Sequence, residues 1–366
     1  MSHTLRVLVV DDTAIYRKIV SDVLGEIPGI EVVGTAVDGR IALDKIRELK
    51  PDLITLDLEM PQLSGVEVLK QLRLLHSSVG AIMLSAFTSA GAAATTEALR
   101  LGAFDFVLKP TGTSPTHSAD KLKSQLAERL QAFAASRGQT LSVDGPTQRV
   151  EAPLARTAPI SRVVASTLGQ AARPQIIVLG ISTGGPEALT KLLPKLPADL
   201  AAPLFIVQHM PPMFTKSLAD DLNHRSALNV CEAVEGQIAQ PGDVLIAPGG
   251  KQMKIERSEL GPVARITDDP PENSCRPAVD YLFRSAAHHY GDAVLGIIMT
   301  GMGSDGTLGC RLLKRRGAAV LAQNKETCVV FGMPAIPVEE GLADAVVPLQ
   351  EMASAILERV GQGVRA

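Results

Sequence analysis

Hydrophobic positions in the N-terminal third of the chain fall into short, nearly unbroken runs separated by stretches of helical period. RVLVVDD (Arg6 to Asp12), VVGTAVDG (Val32 to Gly39), DLITLDLEMP (Asp52 to Pro61), AIMLSA (Ala81 to Ala86) and DFVLKP (Asp105 to Pro110) read as strands. The stretches from Ala14 to Gly25, from Arg40 to Lys50 and after Gly65, and the Ala-rich segment that follows AIMLSA, read as helices. Strands that are apolar throughout, rather than alternating, are buried on both faces, so the pattern predicts a doubly wound parallel (βα)5 α/β domain. Leu122, Leu126, Leu130 and Phe133 recur at helical spacing and predict a closing helix from Ser118 to Ser136.

The periodicity then fades. From Gly138 to about Arg173 the chain is rich in Pro, Gly, Ser, Thr, Gln and Ala, which predicts an interdomain linker over 138–173, with one docking turn near Val163, between domains at 1–137 and 174–361. The strand and helix rhythm resumes with QIIVLG, PLFIVQH, DVLIAPG, AVLGIIMTG and AAVLAQ, a second doubly wound, mostly parallel α/β sheet. Lys251 to Asp269 reads as an antiparallel hairpin inserted at that sheet's edge. In such folds chemistry collects beyond the C-terminal ends of the strands.

A length of 366 residues suits two domains. The formal charge of -3 and an aromatic content of 3% without Trp argue against nucleic-acid partners. Cys231, Cys275, Cys310 and Cys328 lack C-x-x-C spacing and read as reduced, buried or half-buried packing residues. Without a signal peptide or a long apolar run, the expectation is a cytoplasmic monomer with no membrane insertion.

In the first domain Asp11 and Asp12 end the first strand, Asp57 the third, Ser85 the fourth and Lys109 the fifth, all on one sheet edge. Any one Asp there could merely cap a helix. Together, three carboxylates repel one another, and a hard divalent cation such as Mg²⁺ compensates. Lys109 can neutralise a phosphoryl group drawn by that cation, and Asp57 becomes a candidate nucleophile toward a phosphoryl donor. On these residues the domain resembles the response-regulator receiver family. The resemblance implies Asp57 as phosphoacceptor, Asp11, Asp12 and Asp57 as the Mg²⁺ site, Ser85 and Phe106 as switch residues, and Lys109 ahead of a cis-prone Pro110. Phe106 departs from a tyrosine in lacking a hydroxyl.

In the second domain the apolar run QIIVLG breaks into ISTGGPEAL. A phosphate-cradling loop needs a Lys where this stretch has Pro186 and Glu187, and its glycines do not fit G-x-G-x-x-G. The stretch does fit G-x-S-x-G, which lifts a serine on a tight strand-to-helix turn. Ser182 would need a base and the base an orienting carboxylate. His209 ends the next strand and Asp305 follows a later one, in the Gly-rich loop TGMGSDG. His224, His288 and His289 sit in helical stretches and fit less well; Asp268 and Asp269 are a weaker acid pair, and Arg276 either borders the cleft or braces a loop. A receiver-controlled phosphate- or nucleotide-binding or docking module without hydrolase activity stays open as an alternative.

GISTGGPEAL, QHMPPMFTKSLAD, PGDVLIAPGG, CRPAVDYLF, MTGMGSDG and FGMP together resemble the catalytic domain of the chemotaxis protein-glutamate methylesterase/protein-glutamine glutaminase family. The resemblance implies Ser182 as nucleophile, His209 as base and Asp305 as its acid, with Thr183 and Met302 as oxyanion-side and active-site neighbours and no cofactor for the hydrolysis. It further implies methyl-accepting chemotaxis receptors as substrate, a chemotaxis histidine kinase as phosphoryl donor, and an unphosphorylated receiver resting over the cleft. Ile181, where the family often has Ala, adds bulk on the strand side.

Overall fold

The structure, a computed structural model, describes residues 4–110, 115–139, 141 and 173–362. Nearly all of the expected linker, including the turn near Val163, lies outside the described residues.

In the N-terminal unit β1 (Leu5–Val10), β2 (Ile30–Ala36), β3 (Leu53–Asp57), β4 (Gly80–Ser85) and β5 (Asp105–Leu108) alternate with α1 (Ala14–Gly25), α2 (Gly39–Leu49), α3 (Gly65–Leu74), α4 (Ser89–Arg100) and α5 (Pro115–Ser136). The strands pair in parallel in the order β2-β1-β3-β4-β5. Every residue of β3, the central strand, is buried, as its continuous apolar run requires. Helix starts are set locally. Asp38 accepts the Ile41 amide, Ser64 and Glu67 form a reciprocal capping box, and Thr88 accepts the Gly91 amide.

The C-terminal unit runs β6 (Ile176–Ile181), α6 (Gly185–Leu192), β7 (Leu204–Gln208), α7 (Phe214–Arg225), β8 (Asn229–Glu232), β9 (Asp243–Ile246), β10 (Gln252–Ser258), β11 (Gly261–Thr267), α8 (Val279–Tyr290), β12 (Val294–Ile298), α9 (Thr307–Arg315), β13 (Ala319–Gln323), α10 (Ala335–Glu339), β14 (Ala345–Val347) and α11 (Met352–Arg359). Its parallel sheet has the order β14-β13-β12-β6-β7-β9-β8. The chain builds outward from β6 in both directions, which opens a crevice at the C-terminal ends of β6, β7 and β12. β6 is buried at every position, and Ile181 is accommodated with no exposure.

The hairpin is present, but it does not extend the large sheet. β10 and β11 form a separate two-stranded sheet. Met253, Ile255 and Ala264 are fully buried, and the Ile255 amide donates to Ser285 Oγ on α8 at 3.0 Å. The hairpin has one apolar face to cover, and α8 covers it. The edges of the large sheet are instead the short strands β8 and β14, which the apolar runs did not single out.

The two units meet through α4 and β5 of the first and the starts of α6 and α7 in the second. Phe106 stacks on Phe214 with centroids 4.9 Å apart and planes 16° from parallel. Thr183 Oγ1 donates to Asp105 Oδ2 at 2.8 Å, and the Thr96 and Ser217 hydroxyls bond at 3.1 Å.

Candidate active site

At the C-terminal edge of the first sheet, Asp11, Asp12 and Asp57 each bring a carboxylate oxygen within 4.8 Å of the others. Lys109 Nζ lies 2.8 Å from both Asp11 Oδ2 and Asp57 Oδ2. Burial pushes the Asp57 carboxyl up from the ordinary range, against the opposing pull of Lys109, and the Asp11 charge adds to the rise. Burial works against the Lys109 ammonium, but its bonds to Asp11 and Asp57 outweigh it and raise its pKa. The donor set is all hard carboxylate oxygen, and it fits a hard divalent cation of the Mg²⁺ type. Ser85 is fully buried, its hydroxyl 2.8 Å from that of Thr95 on α4. The Lys109-Pro110 bond is trans; among the described residues the cis bond joins Arg276 to Pro277.

In the second sheet β6 and β7 pair in register through Ile181 and Gln208, and the His209 amide donates to the Ile181 carbonyl at 3.2 Å. Ser182 and His209 therefore occupy successive positions at the ends of neighbouring strands, and both line one cleft of about 280 Å³. The serine turn depends on two glycines. Gly184, at φ 80, takes a left-handed conformation that a side chain would strain. Gly301 lets the loop after β12 close on Ser182, since a Cβ there would stand 2.8 Å from Ser182 Cβ.

His209 Nε2 lies 2.8 Å from Asp305 Oδ2. Asp305 is 3% exposed, yet the amides of Val279 (2.7 Å), Asp280 (3.0 Å) and Gly306 (3.0 Å) and Asn273 Nδ2 (2.8 Å) also donate to its carboxylate. Burial alone would raise its pKa; the bond to His209 and these amides reverse that and hold it below the usual carboxylate range. An ionised carboxylate only accepts, so Nε2 donates its proton to Asp305, and when the ring is neutral Nδ1 holds the lone pair. Burial disfavours the imidazolium, but Asp305 and the nearby Cys275 favour it more, pushing the His209 pKa up to about 9. Among the described residues no hydrogen bond joins Ser182 Oγ to His209.

Thr183 is buried beside Ser182, its hydroxyl committed to Asp105, and Met302 is half-buried in the cleft wall. Leu99, Phe106, Leu108 and Arg129 of the first unit complete that wall, so the cleft is closed over by the N-terminal domain. Three neighbours were missed in the sequence. Asn273 ties Asp305 to Asp280, Asp280 is itself buried, and Cys275 Sγ lies 3.7 Å from His209 Nδ1. Residue spacing carries no signal for them because Asn273 and Cys275 come from the loop between β11 and α8, and Asp280 from the first turn of α8. Arg276 is exposed and its guanidinium reaches the Asp268 carbonyl, so it braces the loop. Asp269 pairs with Tyr281, His224 with the Asp220 carbonyl, and His288 and His289 with each other, all outside the cleft lining.

The response regulator receiver domain pattern matches residues 7–119, and the CheB methylesterase pattern matches residues 177–356. A protein-glutamate methylesterase/protein-glutamine glutaminase of Desulfotalea psychrophila is 48% identical over 97% of this chain and 98% of its own length. A protein of the same description from Bacillus subtilis is 42% identical over 96% of this chain and 97% of its own. The crystal structure of the Thermotoga maritima CheB methylesterase catalytic domain superposes with a TM-score of 0.50 at 43% identity, covering 51% of this chain and 99% of that domain. With both halves matched and end-to-end relatives 42% to 48% identical, the chain belongs to the protein-glutamate methylesterase/protein-glutamine glutaminase family and is an enzyme of that class.

Proposed function

We propose that Ser182 is the nucleophile, His209 its general base and Asp305 the carboxylate that orients the base. The substrates are methyl-esterified glutamates, and selected glutamines, in the cytoplasmic helical bundles of methyl-accepting chemotaxis receptors. The observation that carries this reading is the 2.8 Å bond between His209 Nε2 and Asp305, which leaves Nδ1 as the one ring nitrogen able to take a proton at the strand end where Ser182 stands. Nδ1 accepts the Ser182 proton as Oγ attacks the side-chain carbonyl. The Thr183 amide, with no acceptor among the described residues, is the candidate donor to the oxyanion, an interaction of a kind worth about 10²- to 10³-fold in rate. His209 then protonates the departing methoxide, releasing methanol, or the departing amide, releasing ammonia. Water gives a proton to Nδ1 and attacks the acyl-serine, restoring Ser182 and leaving a glutamate.

The domain at 1–137 acts as the lid on the domain at 174–361, with 138–173 as tether. An α-helix with its side chains is about 10 Å across, too wide for a cleft of about 280 Å³ roofed by Phe106 and Leu108. A chemotaxis histidine kinase phosphorylates Asp57, and Ser85 and Phe106 rearrange to release the lid. Asp11, Asp12 and Asp57 would hold Mg²⁺, which would supply positive charge to the phosphoryl oxygens, and Lys109 would neutralise what remains. No helix among the described residues is long and apolar enough to cross a membrane; in this reading the enzyme is a cytoplasmic monomer that meets its receptors from solution. The test is methanol release from methylated receptor membranes together with labelling by a serine-reactive organophosphate. Release that survives Ser182→Ala, or a label that survives it, overturns the assignment.

A further inference from the structure

Cys275 has no part in the steps above, yet its thiol points at the lone pair on which they depend. Sγ lies 3.7 Å from His209 Nδ1. The cysteine is held in place rather than swinging freely. Its amide donates to the Glu272 carbonyl at 2.7 Å, and its carbonyl accepts the Glu272 amide at 3.1 Å. Asn273 in the same tight loop anchors to Asp305 at 2.8 Å and to Asp280 at 2.9 Å. Asn273 and Ser274 both adopt positive φ, 50 and 61, a conformation that non-glycine residues take only where the surroundings impose it.

We propose that His209 Nδ1 and Cys275 Sγ form an inhibitory site for a soft divalent cation, Zn²⁺ foremost, laid directly across the catalytic base. Tetrahedral Zn²⁺ bonds imidazole nitrogen at about 2.0 Å and thiolate sulfur at about 2.3 Å, which sets the two donors roughly 3.5 Å apart. The observed 3.7 Å needs only a small adjustment. Asp305 supplies what a zinc-bound histidine ordinarily has, a carboxylate on the opposite ring nitrogen that fixes the tautomer and strengthens the donor. All four polar contacts of Asp305 besides His209 are amide donors, so it orients the ring and is not itself free to ligate. Two protein ligands leave the remaining positions to water. On binding near neutral pH, the Cys275 thiol and the protonated His209 ring each give one proton to solvent, and the cation sheds two waters. The bound metal occupies the lone pair that would receive the Ser182 proton, so hydrolysis stops without any change in the nucleophile. A thiolate-imidazole pair discriminates against Mg²⁺, so the cation that suits the receiver carboxylates leaves this site empty.

The inference rests on the proposed role of His209 for its effect on rate but not for the binding itself, and the experiment separates the two. Full-length protein stripped with chelator is titrated with Zn²⁺ in a calorimeter, in buffers of different ionisation enthalpy, alongside Cys275→Ser, Cys275→Ala and Cys231→Ser. The wild type and Cys231→Ser should show a one-to-one event that releases about two protons near neutral pH and is absent from both Cys275 variants. In parallel, Zn²⁺ should suppress methanol release reversibly with EDTA, at a concentration at least tenfold lower for the wild type than for Cys275→Ser, and Mg²⁺ should not. A zinc event retained in a folded Cys275 variant, or lost in Cys231→Ser, overturns the site. Binding at Cys275 with no loss of methanol release instead overturns His209 as the base.

Discussion

The contact between Thr183 and Asp105 makes the lid hypothesis quantitative. Thr183 Oγ1 donates across the domain boundary to Asp105 Oδ2 at 2.8 Å, next to the proposed nucleophile Ser182. Asp105→Ala removes this latch while leaving the proposed chemical groups intact. A hydrogen bond to a charged group contributes about 1.5–3 kcal/mol. The Asp105 side chain is 13% exposed, and its other partners, the Phe106 amide at 2.8 Å and Arg129 at 3.7 Å, belong to its own domain and remain when the domains part. Only the Thr183 bond is exchanged for water on opening, so the lower figure of about 1.5 kcal/mol applies, a shift of roughly tenfold toward the open arrangement. Methanol release by unphosphorylated Asp105→Ala should rise about tenfold over the unphosphorylated wild type, with the fully phosphorylated rates equal. Asp105→Asn, whose amide oxygen still accepts from Thr183, should fall between. If unphosphorylated Asp105→Ala matches the wild type while phosphorylation still stimulates both, the Thr183 contact does not hold the lid.

Four further outcomes follow from the site. Because a base works only when neutral and His209 is raised to about 9, kcat/KM for ester hydrolysis should climb with pH through the neutral range toward that value; a plateau already reached near neutrality would contradict it. Asp305→Asn should lower kcat by roughly 10⁴-fold, as the imidazole loses its orienting charge. The depressed folded pKa of Asp305 means its ionisation stabilises the fold above the ordinary carboxylate pKa of about 4, and this contribution is lost as pH falls through the folded value, so the gap in Tm between wild type and Asp305→Asn should narrow in acid. Gly301→Ala drives a Cβ against Ser182 Cβ and Met333 Sδ; the overpacking should cost about 1–3 kcal/mol in denaturant unfolding and lower kcat more than it changes KM, whereas an unperturbed kcat would show that the serine turn has slack.

Most of the fold was readable because buried parallel strands write themselves as continuous apolar runs, and strand-terminal residues on one edge must be neighbours. That logic brings together Asp11, Asp57 and Lys109, and also Ser182 and His209. It fails where position is decided by packing between elements that the period does not relate. β8 and β14 are four and three residues long, too short to carry a pattern. The hairpin's alternation reveals that it has an apolar face, but not that α8 would cover it. Cys275 and Asn273 reach His209 and Asp305 from a loop with no periodicity at all, and the neighbouring Arg276 drew notice because a charge is conspicuous in sequence, though it turns outward. The Thr183-Asp105 bond joins domains whose mutual placement no local pattern encodes.

On α4, Thr95 meets Ser85 and the very next residue, Thr96, meets Ser217 of the catalytic domain. Consecutive residues on an α-helix project about 100° apart, so one rigid rod touches the proposed switch hydroxyl of Ser85 on one flank and the partner domain on another. News of phosphorylation then has to traverse only the thickness of a single helix. Rolling that rod by a few degrees disturbs both flanks at once, with no chain of intermediaries to tune or to break.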